Sequence, residues 1–322
     1  MLTFGRNILE QQGIISLGEA FVDFISVDRS NTKYQQYLGG ATVNLAVGAR
    51  RLGIPVHYLC KLGKDDISRF VEQELMLEKV SLEYAVQNAT KKICCVYVHL
   101  NEEGDRYFHS YVNPTPDEVL TAEELSQTIF QQAKIFYFAS GTLFHEKENK
   151  TTELALNYAR AADHIIAFDA NIRLKRWKSE NHCRQTVLSF IKKADIVKLA
   201  EDELLFLTET DSLEAGLETI AKQNIPYLFV TLGSEGGCAV MNGNKVFVPA
   251  PQVNAVDTTG AGDAFMAAVL YCFHEFGKPA KPSRLKEYLE FANQIGAAAT
   301  TQIGSLTSKM DIDRLKQLLE KE

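Results

Sequence analysis

The stretch Asp257-Thr-Thr-Gly-Ala-Gly-Asp-Ala-Phe265 predicts a glycine turn that opens into a helix. Gly260 and Gly262 allow a tight turn in which no side chain keeps a ligand away from the backbone. The apolar run after Asp263 is typical of a buried helix. Free N–H groups and the dipole at such a helix start attract phosphate or another anion. A glycine loop capped by an aspartate explains the same residues without any ligand.

Asp263, within this turn, indicates which reaction the turn could serve. A carboxylate among anion-binding amides repels a phosphate, unless its task is to accept a proton from a hydroxyl group that attacks that phosphate. We therefore predict that Asp263 is a catalytic base in phosphoryl transfer.

The composition narrows the class of protein. The chain has 322 residues, of which 46% are hydrophobic, and a net charge of −7, which fits one large α/β domain or two smaller ones. Acidic and basic residues are mixed without a basic run, which argues against nucleic acid or an anionic membrane as partner. No apolar segment approaches the roughly 18 residues of a membrane-spanning helix, and the first ten residues lack the layout of a signal peptide.

The cysteines predict a reducing compartment. Six of them lie at positions 60, 94, 95, 183, 238 and 272 without a CxxC pair, so we expect buried free thiols and a cytoplasmic protein. The seven histidines show no metal-ligand spacing, which argues against a zinc site.

Short apolar runs alternate with longer amphipathic ones, which predicts βαβ units and an α/β fold with a mostly parallel sheet. The predicted strands are 14–17, 56–59, 135–138, 165–168, 196–199 and 227–231. The predicted helices are 41–52, 67–79, 123–133, 152–162, 183–193, 213–223, 264–276, 284–301 and 311–319.

Two strand-like segments interrupt this alternation. They span residues 21–38 and 93–112, and the second contains the hairpin signal Asn101-Glu-Glu-Gly-Asp105. We expect a small β lid over a site, built from about residues 20–38 and 93–113. An extra edge hairpin without such a role is the alternative.

A group of residues near the N-terminus suits a neutral polyol. Gly39 and Gly40 precede a helix and bring backbone N–H groups close to a ligand, and Asn44 on its first turn offers a donor and an acceptor. Asp23 lies just beyond the first strand, where ligands of open α/β sheets bind. A carboxylate there can accept hydrogen bonds from two hydroxyl groups of a sugar. A structural turn and a solvated loop acid explain the same residues.

Three further stretches follow predicted strands. Arg173, in Asp169-Ala-Asn-Ile-Arg173, could pair with a phosphate, although a solvated turn explains it equally. The stretch from Lys198 to Glu203 begins a helix, and we assign Lys198 to the nucleotide side. Glu203 is a candidate for holding magnesium through water, or an ordinary first-turn acid.

The last of these stretches, Thr231-Leu-Gly233-Ser-Glu-Gly236, is a glycine turn that could receive the phosphates of a nucleotide, or a plain β-turn. A GxxxxGK[ST] sequence is absent, which excludes the P-loop route to nucleotide binding.

The order of these motifs along one chain resembles the ribokinase-like (PfkB) carbohydrate kinases from about residue 12 onward. Within that family the chain is most similar to fructokinases, on Leu17-Gly-Glu-Ala20, Phe168-Asp-Ala-Asn-Ile-Arg173 with Trp177, and Asn113-Pro114 with Asp117. The resemblance implies a single ribokinase-like kinase domain over residues 1–322, a three-layer fold with about nine strands, and a β lid that often forms a homodimer. It also implies ATP as phosphoryl donor, magnesium and a small sugar as substrate.

The resemblance also assigns roles residue by residue. Asp263 matches the family's catalytic base, and the N–H groups of Gly260, Ala261, Gly262 and Asp263 match its anion hole. Asp23, Gly39, Gly40 and Asn44 match sugar-binding positions, and Thr231, Gly233 and Asn293 match positions near the nucleotide. Asp257 and Thr259, with the loop at 300–304, match a site that binds a monovalent cation such as K⁺ in many relatives.

Three departures qualify the match to fructokinases. Val112 stands where they usually carry an arginine, and an aliphatic residue cannot hydrogen-bond a sugar or phosphate, which weakens the case for fructose. Ala200 replaces the asparagine of an Asn-x-x-Glu motif near the magnesium. Thr42 and Val43 replace a common Pro-Ala pair, and we expect little effect from this change.

We predict an ATP-dependent sugar kinase that phosphorylates a primary hydroxyl of a ketose, with fructose to fructose 6-phosphate as the first choice. A 2-keto-3-deoxygluconate kinase is an alternative, with Arg106 as the candidate for binding the carboxylate. A nucleoside kinase with a base pocket from Tyr97, Phe108 and Tyr111 is another. A non-catalytic sugar or nucleotide sensor is a third, because fold does not fix function.

Overall fold

A computed structural model describes residues 12–302 and Leu319. The described strands are β1 (Ile14–Leu17), β2 (Phe21–Ser26), β3 (Tyr34–Gly39), β4 (Val56–Leu59), β5 (Lys61–Leu62), β6 (Val86–Gln87), β7 (Cys94–Leu100), β8 (Arg106–Val112), β9 (Ile135–Ala139), β10 (Ile165–Asp169), β11 (Ile196–Ala200), β12 (Tyr227–Thr231), β13 (Gly237–Met241) and β14 (Asn244–Val248). The helices are α1 (Ala41–Arg51), α2 (Asp66–Leu77), α3 (Glu146–Ala161), α4 (Glu180–Ile191), α5 (Glu201–Thr208), α6 (Leu213–Ile220), α7 (Ala261–Phe276) and α8 (Pro282–Ala299). The predicted helix at 311–319, apart from Leu319, and residues 303 and 304 of the predicted cation loop lie outside the described residues.

The central sheet has eight strands in the described part of the chain, in the order β14-β13-β12-β11-β10-β9-β1-β4. Six neighbouring strands of this sheet are parallel to one another, in the order β4, β1, β9, β10, β11 and β12. Strands β13 and β14 continue the sheet as an antiparallel hairpin. The parallel strands are almost wholly buried, as expected when helices cover both faces of a sheet.

Alternate residues of these strands enter two separate hydrophobic cores. Ile14 and Tyr137 pack on one side with α1, α7 and α8, and their neighbours Ile15 and Phe136 pack on the other side with α3 and α4. Two cores separated by one sheet make the predicted three-layer α/β fold.

A second sheet of four strands, in the order β3-β2-β7-β8, follows the first strand of the central sheet. It is built from the two segments predicted to be strand pairs. Strand β2 pairs antiparallel with β3 and parallel with β7, and β7 and β8 form the predicted hairpin, with a bulge between Tyr97 and Val98. We call this second sheet the β lid.

One predicted helix, at 123–133, is wrong. The structure has only short 3-10 turns there, at Ala122–Glu124 and Thr128–Gln131. The side chain of Glu124 accepts hydrogen bonds from the Thr121 N–H and from Lys61, and the adjacent Ile129 and Phe130 are both buried. These tertiary contacts override the helical pattern.

None of the described helices is long and apolar enough to cross a membrane.

Candidate active site

The glycine turn and the start of α7 form the centre of the site. Gly260 is the residue before the helix and has a φ of 79°, a left-handed conformation that favours glycine. The N–H groups of the first turn lack intrahelical acceptors, so those of Gly262 and Asp263 are available to an anion. The Ala261 N–H instead donates to the Thr258 carbonyl at 3.2 Å, because the turn is tight.

Asp263 lies on this first turn and is 9% exposed. Its Oδ2 accepts a hydrogen bond of 2.7 Å from Nδ2 of Asn44 on α1. Burial raises the pKa of Asp263, while the hydrogen bond from Asn44 and the charges of Lys198 and Arg173 oppose this rise. Helices α1 and α7 pack closely enough to bring these two residues together, since a Cβ on Gly48 would lie 3.0 Å from Cβ of Ala267.

Lys198, on β11, places a buried positive charge beside the same turn. Its Nζ lies 3.1 and 3.2 Å from the two carboxylate oxygens of Asp169 on β10. A Cβ on Gly262 would lie 2.9 Å from this Nζ, so glycine is needed for the ammonium group to approach the helix. Burial lowers the pKa of Lys198, but the carboxylates of Asp169, Glu203 and Asp263 raise it by more, so Lys198 stays charged.

Glu203 joins the loops that follow β10 and β11. Its Oε1 accepts the Ile172 N–H at 2.6 Å and its Oε2 accepts the Ala200 N–H at 2.8 Å. Both oxygens are thus engaged, and in the described part of the chain no group of three or more His, Cys, Asp or Glu side chains could hold a metal ion. The role of Glu203 in holding magnesium through water stays a prediction.

The residues assigned to the nucleotide lie beyond β12. Thr231 ends β12, and a Cβ on Gly233 would meet no atom within 4 Å, so this turn is open. Glycine at position 236 is required by the packing, because a Cβ added there would lie 2.1 Å from the Val248 carbonyl oxygen. The Asn293 amide donates to the same carbonyl at 2.9 Å and holds the end of β14. Arg173 is exposed at the end of the loop after β10.

The predicted cation site is described only in part. The Asp257 Oδ1 accepts the Thr259 N–H at 2.9 Å, and its Oδ2 lies 3.8 Å from Nη1 of Arg106 on the lid strand β8. The Thr300 carbonyl accepts the N–H groups of Val256 and Asp257. Arg106 therefore contacts the loop that precedes the glycine turn.

Asp23 and the glycine pair form the lid side of the site. Asp23 lies on β2, and a Cβ on Gly39 would lie 2.6 Å from its Oδ2, so glycine at this position makes room for the carboxylate. Gly40 has a φ of 105° and its Cβ would lie 2.9 Å from the Glu19 carbonyl oxygen. Burial raises the pKa of Asp23 to about 6.

The register of the lid shows which residues share the face of Asp23. Partners across a sheet lie on one face, and Asp23 pairs with Val96, which pairs with Tyr111. Tyr111 therefore shares the face of Asp23.

The same register places Val112 and Tyr97 on the other face of the lid. Val112 pairs with Cys95, and Tyr97 pairs with Phe24 and stacks on it at 5.0 Å. Val112 and Tyr97 therefore lie on the face of the lid opposite Asp23, and their predicted effects on substrate choice stay predictions.

Arg176 was not predicted as a site residue. The structure places its guanidinium over the rings of Phe21 and Tyr111, both on the Asp23 face of the lid. The only signal in the sequence was its position next to Trp177 in a stretch already singled out.

A three-layer fold with a β lid and a buried aspartate at a glycine-turn helix start is the architecture of the ribokinase-like kinases. Comparison with known proteins agrees: the model of the pfkB family carbohydrate kinases matches residues 11–312. The chain belongs to this family and is a carbohydrate kinase.

Individual relatives match over nearly the whole chain. A fructokinase of Vibrio alginolyticus is 33% identical over 291 residues, which are 90% of this chain and 94% of the relative. A crystal structure of a Vibrio cholerae O395 fructokinase with fructose, ADP and calcium ion has a TM-score of 0.84 and 29% identity, covering 96% of this chain and 99% of that one. A double mutant of the same enzyme, with fructose, ADP and potassium ion, has a TM-score of 0.85 and 30% identity, covering 96% of this chain and 98% of that one.

Proposed function

We propose that this protein transfers the γ-phosphoryl group of ATP to the primary hydroxyl at C6 of fructose. The single observation that carries the proposal is the position of Asp263, a buried carboxylate on a helix turn with free N–H groups, beside a buried lysine. The fructokinase relatives, including those solved with fructose and ADP, support fructose as the substrate.

Asp263 accepts the proton of the sugar hydroxyl as its oxygen attacks the γ-phosphorus and the bond to the β–γ bridging oxygen breaks. ADP leaves with the electron pair of that bond. Burial favours a base of raised pKa, which takes up the proton more readily than an ordinary carboxylate. The N–H groups of Gly262 and Asp263, with Lys198, stabilise the charge on the transferring group.

The sugar lies between the lid and the helix turn. The Asp23 carboxylate accepts hydrogen bonds from the hydroxyl groups of the sugar, and Asn44 orients both the sugar and Asp263. The backbone at Gly39 and Gly40 approaches the sugar closely. We propose that the second sheet acts as the lid of a single kinase domain, and that its link from Arg106 to Asp257 forms part of the closed state.

The nucleotide lies along the loop from Thr231 to Gly236, with Asn293 behind it and Arg173 near its phosphates. Magnesium would be held by these phosphates and, through water, by Glu203, and would neutralise charge on the transferring group. The loop of Asp257 and Thr259 is the proposed K⁺ site, supported by the relative solved with potassium ion.

A substrate panel tests this function. ADP release with magnesium ATP is measured against fructose, tagatose, ribose, 2-keto-3-deoxygluconate, fructose phosphates, adenosine and inosine. We expect the highest kcat/KM with fructose. Preference for another compound would replace fructose as the substrate, and sugar binding without ADP release from any compound would favour the sensor.

The pH dependence of sugar binding tests the role of Asp23. Its pKa of about 6 means that the free protein holds a proton on this group below that pH, and a protonated carboxyl loses one acceptor. We expect the fructose Kd to be constant above about pH 7 and to rise up to about tenfold per unit below about pH 6. The measurement uses the fluorescence of the single tryptophan, Trp177, in the Asp263→Asn variant, which has no titrating group at 263. A Kd that stays constant down to about pH 5 would contradict this role, and Asp23→Asn should bind weakly at every pH.

We further propose a cytoplasmic homodimer that joins through the lid. All six cysteines are buried and free, as a reducing compartment maintains them. Strand β8 lies at an edge of the lid and exposes Tyr107, Phe108 and Val112, and such an edge is a template for pairing with another chain.

Sedimentation equilibrium tests the dimer. We expect twice the chain mass of 36.0 kDa for the unmodified protein and for Met76→Glu, an exposed apolar residue on α2. The Tyr107→Glu variant should shift toward the monomer, because a charge on an apolar edge opposes pairing. A monomer at all concentrations of the unmodified protein would exclude the proposal.

A further inference from the structure

Arg176 occupies an unusual position between the lid and the body of the protein. Its guanidinium carbon lies 4.1 Å from the ring centre of Phe144, 5.0 Å from that of Tyr111 and 5.4 Å from that of Phe21. Three aromatic rings around one guanidinium fix its place through cation–π contacts. Its side chain is nevertheless 20% exposed, so part of it faces the space in front of the lid.

This space is the sugar side of the active site. Phe21 and Tyr111 share the face of Asp23, as the register shows. A Cβ on Gly40 would lie 3.7 Å from Cδ2 of Phe21, so the ring of Phe21 borders the glycine pair. Contacts therefore lead from Asp263 through Asn44 and the first turn of α1 to Gly40, Phe21 and Arg176. Arg176 lies at the far end of this path from the catalytic base.

The guanidinium of Arg176 has N–H groups available to a ligand. An arginine carries five N–H donors and no acceptor. Within residues 12–302, its charged partner is Glu19, at 3.6 Å, which is longer than a hydrogen bond. Glu19 is itself engaged by Lys91, whose Nζ lies 2.9 Å from Oε1.

A buried group of charged side chains lies beside Arg176. Glu148 is the other acid of this cluster, and burial, followed by the charge of Glu19, raises its pKa well above the usual range. This rise favours the neutral form of Glu148, and Glu19 is the acid that faces the two cations Lys91 and Arg176. The cavity between Glu19, Lys91 and Glu148 has a volume of about 10 Å³, room for a single water. This cavity is too small for a sugar, so the part of the cluster that is offered to a sugar is the exposed side of Arg176.

The turn that carries Arg176 is held by packing of its neighbour. Trp177, the next residue, is 8% exposed, and its ring packs edge to face on Phe144, the ring nearest to the guanidinium. A donor held this way loses little freedom when it binds a ligand.

We propose that Arg176 is a substrate-binding residue whose guanidinium donates hydrogen bonds to the oxygens of the ketose at C1 and C2, the end remote from the phosphorylated hydroxyl. This inference rests on the proposed function, because it assumes that the acceptor hydroxyl lies at Asp263.

The Arg176→Met variant tests the contact, since methionine keeps an apolar stem against the three rings. We expect the KM for fructose to rise about 10- to 100-fold, as for the loss of hydrogen bonds to a charged group, with kcat changed less than about threefold and the KM for ATP unchanged. The matched control is Lys175→Met, an exposed cation in the same turn, which should leave all three constants unchanged. An unaltered KM for fructose in Arg176→Met would overturn the proposal.

A substrate lacking one oxygen separates binding from a structural role. With 1-deoxyfructose the unmodified enzyme should lose about tenfold in kcat/KM, and Arg176→Met should lose almost nothing further, because the partner is already gone. Equal losses in both enzymes would overturn the contact. If fructose is not turned over, the proposed function fails, and the KM comparison is made on the panel compound that is. An unchanged KM there would refute Arg176 separately.

Discussion

Replacing Asp263 with asparagine is expected to lower kcat about 10²- to 10⁴-fold, while fructose and ATP still bind. The side-chain amide introduced at this position can accept the hydrogen bond from Asn44 that the carboxylate accepts at 2.7 Å, so the packing of α1 on α7 is kept. The amide cannot take up the proton of the attacking hydroxyl. Coupled ADP release gives kcat, and the fluorescence of Trp177 gives the Kd for fructose.

The control for this variant is Glu275→Gln, near the end of the same helix, where the side chain is 43% exposed. It should keep the kcat of the unmodified enzyme. A kcat of Asp263→Asn within about threefold of that value would remove Asp263 from the mechanism.

The second large effect concerns stability. Replacing Asp169 with asparagine leaves the ammonium group of Lys198 buried without its closest counter-charge, and we expect the free energy of unfolding to fall by about 3 kcal/mol. This is the lower end of the usual range, since Glu203 and Asp263 also contribute negative charge near Lys198. Urea unfolding gives this value from the shift of the transition midpoint.

Two further variants separate the buried charge from a general effect of the substitution. Asp66→Asn removes an exposed ion pair with Arg69 and should cost less than about 1 kcal/mol. The double variant Asp169→Leu/Lys198→Met removes both buried charges and should recover much of the stability but not the activity. Equal destabilisation by Asp66→Asn and Asp169→Asn would refute the account of the pair.

The central strands were predictable because burial on both faces leaves a strong pattern. The predicted limits 14–17, 56–59 and 227–231 coincide with β1, β4 and β12. Each is a short, mostly apolar run that follows a glycine or a proline, namely Gly13, Pro55 and Pro226. The hairpin of β13 and β14 was not predicted, although its turn Asn242-Gly243, with both residues at positive φ, is a strong hairpin signal.

Arrangement within the site was less predictable, because it depends on register and packing. Asn44 and Asp263 are 219 positions apart in the chain, and only the packing of α1 on α7 joins them. The position of Arg176 on the Asp23 side of the lid follows only from the lid register and from its contacts with the rings of Phe21 and Tyr111. The position of Val112 on the face opposite Asp23 likewise follows from its pairing with Cys95, which the sequence does not show.

The most direct test of the central claim follows the phosphoryl group itself. The protein is incubated with magnesium ATP and ¹³C-labelled fructose, and ³¹P and ¹³C NMR spectra are recorded over time. We predict that the γ-phosphate signal is replaced by a phosphate ester coupled to C6, with one ADP formed per ester, and that the ester forms at least about 100-fold more slowly in the Asp263→Asn sample. Free phosphate with unchanged fructose, or an ester at another carbon, would contradict the account.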